Sequence, residues 1–170
     1  MTASRSASGD DSFVKRPAAI PYSGSAATAS PVGGNLDQLS KVRRSQLMAR
    51  IRGKDTSPEM IVRRLVHGLG YRYRLHSKQL PGRPDLVFPS RKLAIFVHGC
   101  FWHRHSCRKG RSMPSTRVAF WAKKFEGNEK RDRRNLRKLK ALGWRVLVVW
   151  ECQTKHLPRL TGRVVCALNG

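Results

Sequence analysis

Acid is scarce in this chain beside base. Ten Asp and Glu stand against 35 Lys and Arg in 170 residues, a formal charge of +25. Residues 1–40 sum to zero, with Arg5, Lys15 and Arg16 against Asp10, Asp11 and Asp37. The whole excess therefore lies in residues 41–170. A field of that sign attracts polyanions, and phosphate neutralisation by Lys and Arg is the main source of nucleic-acid affinity. A merely solubilising cationic surface is the alternative, and the excess is far larger than that role needs. Long apolar runs are missing too, which argues against a membrane span. The first forty residues lack the basic-then-apolar order of a secretory signal, so a cytoplasmic location is expected. Cysteine is scarce: Cys100, Cys107, Cys152 and Cys166. In that compartment such thiols are more often metal ligands or free thiols than disulfides.

The length suits one domain. Residues 1–38 are rich in Ser, Ala, Gly, Thr and Pro with no apolar period. They read as a disordered N-terminal tail, leaving 39–170 as the folded domain.

The remainder is organised around Leu93–Cys107, LAIFVHGCFWHRHSC. Its apolar start, Leu93–Val97, reads as a buried strand. Two thiols, three imidazoles and two large aromatics follow within ten residues. Thiols and imidazoles at short spacing suit zinc. Aromatics beside them, in so basic a chain, suit wedging between bases.

Upstream, Lys41–Lys54 is basic, and Met48 and Ile51 share a face if it is helical. That face is either a core edge or an arm laid on DNA. Asp55-Thr56-Ser57-Pro58-Glu59 predicts a helix start, with Thr56 or Ser57 as cap and Gly70 as stop. Glu59 is explained there as a first-turn acid, the reading favoured from the residues alone. Tyr71–Leu75 alternates and predicts a strand, Pro81-Gly82 a turn, and Asp85–Phe88 a second strand. Asp85 at the edge of an apolar strand needs a partner or a metal, unless it merely caps the turn. A basic loop, Arg108–Pro114, precedes a helix from Thr116 to Leu142 with a possible break at Gly127-Asn128. Asp132 lies among its bases, as a solvated ion-pair partner or as the group that orients a histidine. Trp144–Trp150 predicts the last strong strand, ending at Glu151-Cys152, and Thr161–Leu168 a short final helix. The order predicts a mixed α/β sheet flanked by helices.

A four-coordinate structural zinc needs four N or S ligands. Cys100 and Cys107 are clustered with His103 and His105, and spacing does not decide between the two imidazoles. Cys152 can supply a fourth ligand if its strand neighbours Leu93–Val97. Cys166 competes for that role, although its apolar surroundings predict a buried core thiol.

Five blocks in order, RRSQLMARIRGKDTSPE, LPGRPDLVF, FVHGCFWHRHSC, the helix around NEKRDRRN and GWRVLVVWEC, make the chain resemble the very short patch repair (Vsr-type) DNA mismatch endonucleases. The resemblance runs from Lys41 to Cys152. It implies a restriction-endonuclease-like core and a Mg²⁺-dependent enzyme that nicks the T strand at T:G mismatches. Such mismatches arise when 5-methylcytosine deaminates, and the substrate implied is double-stranded DNA in a bacterial-type cytoplasm; a monomer is the default expectation. A cytosine methyltransferase and mismatch-repair proteins belong to that context.

By the same resemblance Asp85 and the Val97 main-chain carbonyl bind Mg²⁺, and Val97 replaces a threonine found in some members. His103 activates water, His98 is a second active-site histidine, Glu59 binds metal-bound water, and Asp132 pairs with His103. Cys100, His105, Cys107 and Cys152 match structural zinc ligands. Phe101 and Trp102, with Met48 and Ile51, match intercalating side chains. No acid-x-Lys follows within Leu93–Val97, which fits this family and weakens a generic nuclease reading. A restriction-type endonuclease and a non-cleaving zinc-stabilised DNA-binding module on the same core are the competing expectations.

Overall fold

The computed structural model describes Ser40, Val42, Arg43, Gln46 and residues 53–170. The expected tail, Met48 and Ile51 lie outside the described residues.

Helix α1, Ser57–Gly68, starts with Thr56 at its N-cap and Pro58 in its first turn. Proline suits that position because the missing N–H would have no helical partner. The Thr56 hydroxyl caps no backbone group and instead donates to Glu59 Oε1 (3.1 Å). Beyond α1 the chain turns through Gly70, whose φ of +85° is one that side chains resist.

Four strands form one sheet in the order β1-β2-β3-β4: Arg74–Leu75, Leu86–Phe88, Leu93–His98 and Arg145–Trp150. The first three pair antiparallel, and β3 and β4 pair parallel. The sheet is mixed and flanked by helices, as the sequence order predicts. Strand β1 is shorter than the expected Tyr71–Leu75, because only Arg74 and Leu75 find partners on β2. Tyr73 turns inward instead, edge-on to Phe88 with its hydroxyl on the Arg63 carbonyl.

Strand parity sorts the core. Leu93 and Ile95 of β3 face one side, packed with Val62 and Val66 of α1 and with Leu160, Val164 and Leu168 of α4 (Leu157–Asn169). Ala94 and Phe96 face the other, against Leu139 of α3 (Val118–Ala141). Full burial of such side chains contributes about 1.5–3 kcal/mol each.

Four expectations are corrected here. Helix α3 runs through Gly127-Asn128 without a break, because Asn128 is buried and bonded to the Trp102 carbonyl (2.9 Å). The basic loop contains a one-turn helix, α2, Arg108–Arg111. Cys166 is exposed and is no core thiol. Helix α4 begins at Leu157, ahead of the expected Thr161, and its buried stripe runs Leu160, Val164, Leu168. Cys166 lies two residues, about 200°, round from Val164, on the opposite side.

Candidate active site

Parallel pairing of β3 and β4 sets Val97 beside Val149 and His98 beside Trp150. Two residues past each strand end lie Cys100 and Cys152, and the register brings them together. The Cys152 N–H donates to Cys100 Sγ at 3.3 Å. The chain between then turns tightly, with the His103 N–H on the Gly99 carbonyl (3.2 Å) and the His105 N–H on the Cys100 carbonyl (3.1 Å). Between the two histidines, Arg104 adopts a left-handed φ of +54°. That reversal sends His103 and His105 to different places, which no count of residues could disclose.

His105 joins Cys100, Cys107 and Cys152, and their ligand atoms all lie within 4.8 Å of one another. Three thiols and an imidazole so close together are a donor set for a tetrahedral soft cation. Burial pushes the Cys100 thiol up to about 12 against the pull of the Cys152 N–H, with the Cys107 and Cys152 thiols adding to the rise. The bond to His105, helped by the Gly110 N–H, brings the Cys107 thiol down to about 6. A bound divalent cation would supply the missing positive charge. Helix α2 presses on this loop through Gly110, where a Cβ would fall 2.0 Å from the His105 carbonyl oxygen. Only glycine fits there.

His103 goes the other way. Its Nδ1 meets Asp132 Oδ2 of α3 at 2.5 Å, and its ring stacks on His98 with centroids 3.9 Å apart and planes 11° apart. Parity places His98 on the α3 side of the sheet, following Ala94 and Phe96. Burial, reinforced by the charge of His103, lowers the His98 imidazole to about 4, so it is neutral at pH 7. Burial raises the Asp132 carboxyl, but the bond to His103 and the nearby His103, His98 and Arg131 outweigh it and hold it below the usual value. A carboxylate accepts from Nδ1–H, which fixes the tautomer and leaves Nε2 as an acceptor.

Both imidazoles line a cleft of about 400 Å³ with Asp132, Asp85, Glu59 and Val97. Asp85 immediately precedes β2, and its Oδ2 accepts the Val97 N–H at 2.7 Å. Burial, with the negative Glu59 adding to it, raises the Asp85 carboxyl to about 6, against the pull of the Val97 N–H, His76 and Arg63. A buried carboxylate that costly to ionise fits a cation. Asp85 and Val97 line the cleft together, and Mg²⁺ accepts so sparse a protein set because it keeps most of its water. Glu59 is buried, its Oε2 accepting the Asp55 N–H and an Arg63 N–H, each at 3.0 Å. It is thus more than a first-turn acid.

A second cleft, of about 420 Å³, adjoins the first and shares Glu59, Val97 and His103 with it. Phe101, Trp102 and Glu151 form its far wall. Phe101 packs edge-on to Trp102 (5.1 Å) and Phe125 (5.1 Å), and Trp102 lies 6.1 Å from Trp121. Phe101 and Trp102 therefore belong to an aromatic group that extends onto α3 and ends at the half-exposed Phe120. The sequence signal for it was the adjacent pair Phe120-Trp121. Glu151 was missed as well. Its Oε2 accepts the Cys100 N–H (3.2 Å) and its Oε1 pairs with Lys109 of α2 (2.5 Å). Of the seven acids in residues 41–170, Glu59, Asp85, Asp132 and Glu151 line these two clefts. Outside them, Lys130, Arg131, Arg133, Arg134 and Arg137 of α3 edge a basic groove that reaches the first cleft at Arg131.

Comparison with known proteins bears on what this arrangement is for. A family model described as DNA mismatch endonuclease Vsr matches residues 36–109. The Type II nicking enzyme V.XorIIP of Xanthomonas oryzae pv. oryzae is 53% identical over 128 residues, 75% of this chain and 93% of that protein. The chain belongs to the Vsr family. The DNA mismatch endonuclease Vsr of Escherichia coli is 43% identical over 125 residues, 74% of this chain and 80% of the relative. The Type II nicking enzyme V.NmeAIP of Neisseria meningitidis is 41% identical over 120 residues, 71% and 85% of the two chains. As a Vsr-family protein it is an endodeoxyribonuclease acting on DNA. Among the described residues no helix is long and apolar enough to cross a membrane.

Proposed function

We propose that the enzyme hydrolyses one phosphodiester in the T-bearing strand of a T:G mismatch, with Mg²⁺ held by Asp85 and the Val97 carbonyl. The observation that carries this reading is the His103–Asp132 pair set in the same cleft as Asp85. Asp132 keeps the Nδ1 proton of His103, so Nε2 can take a proton from the attacking water; such a base contributes about 10²–10⁴-fold. The neutral His98 beneath it places no second charge against that proton transfer. Glu59, held by Arg63 and the Asp55 N–H, would orient hydration water at the metal. The Mg²⁺ ion, when bound, supplies Lewis-acid stabilisation of the phosphate and the leaving oxygen.

Cys100, His105, Cys107 and Cys152 are read as ligands of a structural Zn²⁺. That ion would fix the loop presenting Phe101 and Trp102, which, with Met48 and Ile51 of the preceding arm, would wedge beside the mismatch. A mismatched step is cheaper to unstack than a paired one, so wedges select for it. The basic groove of α3 would follow the phosphate backbone. Residues 39–170 would then act as one restriction-endonuclease-like domain, a cytoplasmic monomer, with 1–38 outside it.

The deciding experiment is a nicking assay on end-labelled duplexes. One carries a single T:G in a CT(A/T)GG-type context and its twin carries C:G, each with Mg²⁺ or EDTA. A Mg²⁺-dependent nick confined to the T strand of the mismatch is expected. Cleavage of both duplexes would mean a restriction-type enzyme, and tight binding without cleavage in any flank would mean a binding module.

A further inference from the structure

Arg63 is a fully enclosed arginine, 7% exposed, on α1. Its Nη1 donates to Asp55 Oδ1 (2.6 Å), and its Nη2 reaches both Glu59 Oε2 (3.0 Å) and His76 Nε2 (3.0 Å). Arginine only donates, so His76 accepts through Nε2 and carries its proton on Nδ1. Arg63 Nε is buried and has no partner among the described residues. The guanidinium is thus held by the three groups at its tip.

Those three groups are themselves a metal-type donor set. Ligand atoms of Asp55, Glu59 and His76 lie within 4.8 Å of one another, and Glu59 and His76 line the cleft that holds Asp85. Two carboxylates and an imidazole at that spacing suit a divalent cation. A guanidinium bonded to all three stands where such an ion would sit. It neutralises the carboxylates, fixes the Glu59 rotamer, and ties down Asp55, whose own φ is +55°.

We propose that Arg63 is a positioning residue, a built-in cation that closes the Asp55–Glu59–His76 set to metal and aims Glu59, so that without DNA the protein's own side chains take a divalent ion at Asp85 and none at that set. The inference deepens the Mg²⁺ reading above and rests on it. Lysine at 63 would keep the charge but, as a point cation, could not hold three acceptors in one plane. Glutamine would remove the charge and open the set.

The test counts bound Mn²⁺ by electron paramagnetic resonance on purified wild type, Arg63→Gln, Arg63→Lys and Asp85→Asn, with nicking rates alongside. Wild type is expected to bind one Mn²⁺ that Asp85→Asn loses. Arg63→Gln is expected to bind two, the second showing nitrogen coupling from His76, and to nick at least tenfold more slowly with mismatch affinity within twofold of wild type. A folded Arg63→Gln that still binds one Mn²⁺ overturns the proposal. Should Arg63→Gln fail to fold, Arg63→Lys decides. It is expected to keep one Mn²⁺ but to need at least threefold more Mg²⁺ for half-maximal nicking, and an unchanged requirement overturns the proposal. A wild type that binds no Mn²⁺ at Asp85 would instead defeat the metal reading itself.

Discussion

Two groups of metal-type side chains lie back to back across the ends of β3 and β4, and they differ in hardness and in openness. Cys100, His105, Cys107 and Cys152 are soft ligands gathered on one another, with Gly110 packed over the loop. Asp85, Glu59, His98, His103 and Asp132 are oxygen and imidazole groups facing a cleft. Trp150 stands between, its ring 4.6 Å from His105 and 5.4 Å from His98. A closed soft set holds a chain in shape, whereas an open hard set leaves positions for water and phosphate. On the proposed reading one short segment would serve stability and chemistry through neighbouring residues that face apart.

The sharpest way to break this division is Asp85→Asn. On the division it abolishes nicking, leaving mismatch affinity, the metal content of the thiol cluster and the melting temperature near wild type. Wild-type-like nicking by this variant would remove Asp85 from the metal site. Cys152→Ser should do the converse. Metal analysis should show the bound zinc lost, and the melting midpoint should fall by several degrees, as for a loss of about 1–3 kcal/mol in a domain this size. Unchanged zinc would hand the fourth ligand's role to another group. The smallest expected effect separates the sites by pH. Asp85, raised to about 6 by burial and by Glu59, is protonated below that pH, so a cation must displace a proton there. The rise in melting temperature on adding Mg²⁺ should be small at pH 5 and grow as pH rises through about 6. A rise that is the same at pH 5 and 7.5 would mean the ion sits elsewhere.

The sheet was legible because apolar runs of strand length are hard to place otherwise, and Leu93–His98 and Arg145–Trp150 are bounded by charge and glycine. The pairing of Cys100 with Cys152 followed once those strands proved to be neighbours. His103 against His105 was not legible from spacing, since the answer depends on one backbone angle at Arg104. Cys166 misled because apolar neighbours in sequence read as a shared burial, whereas the buried stripe runs Leu160, Val164, Leu168 and Cys166 falls on the other side of the helix. Arg63 gave no signal. A basic residue within an amphipathic helix reads as solvated, and only the fold shows three acceptors converging on it.

The scarcity of acid has a consequence for the order of events. Four of the seven acids in residues 41–170 are gathered at the clefts, and α3 offers a run of bases beside them. Long-range attraction should speed the encounter with DNA and weaken as salt is added. At short range a phosphate reaching Asp85, which has no cationic side chain bonded to it among the described residues, meets charge of its own sign. On the proposed reading the duplex would arrive and slide on an ion-free enzyme, while its target linkage would seat only once a cation had entered. Capture and commitment would then be separate kinetic steps, the first tuned by ionic strength and the second by the supply of divalent ion.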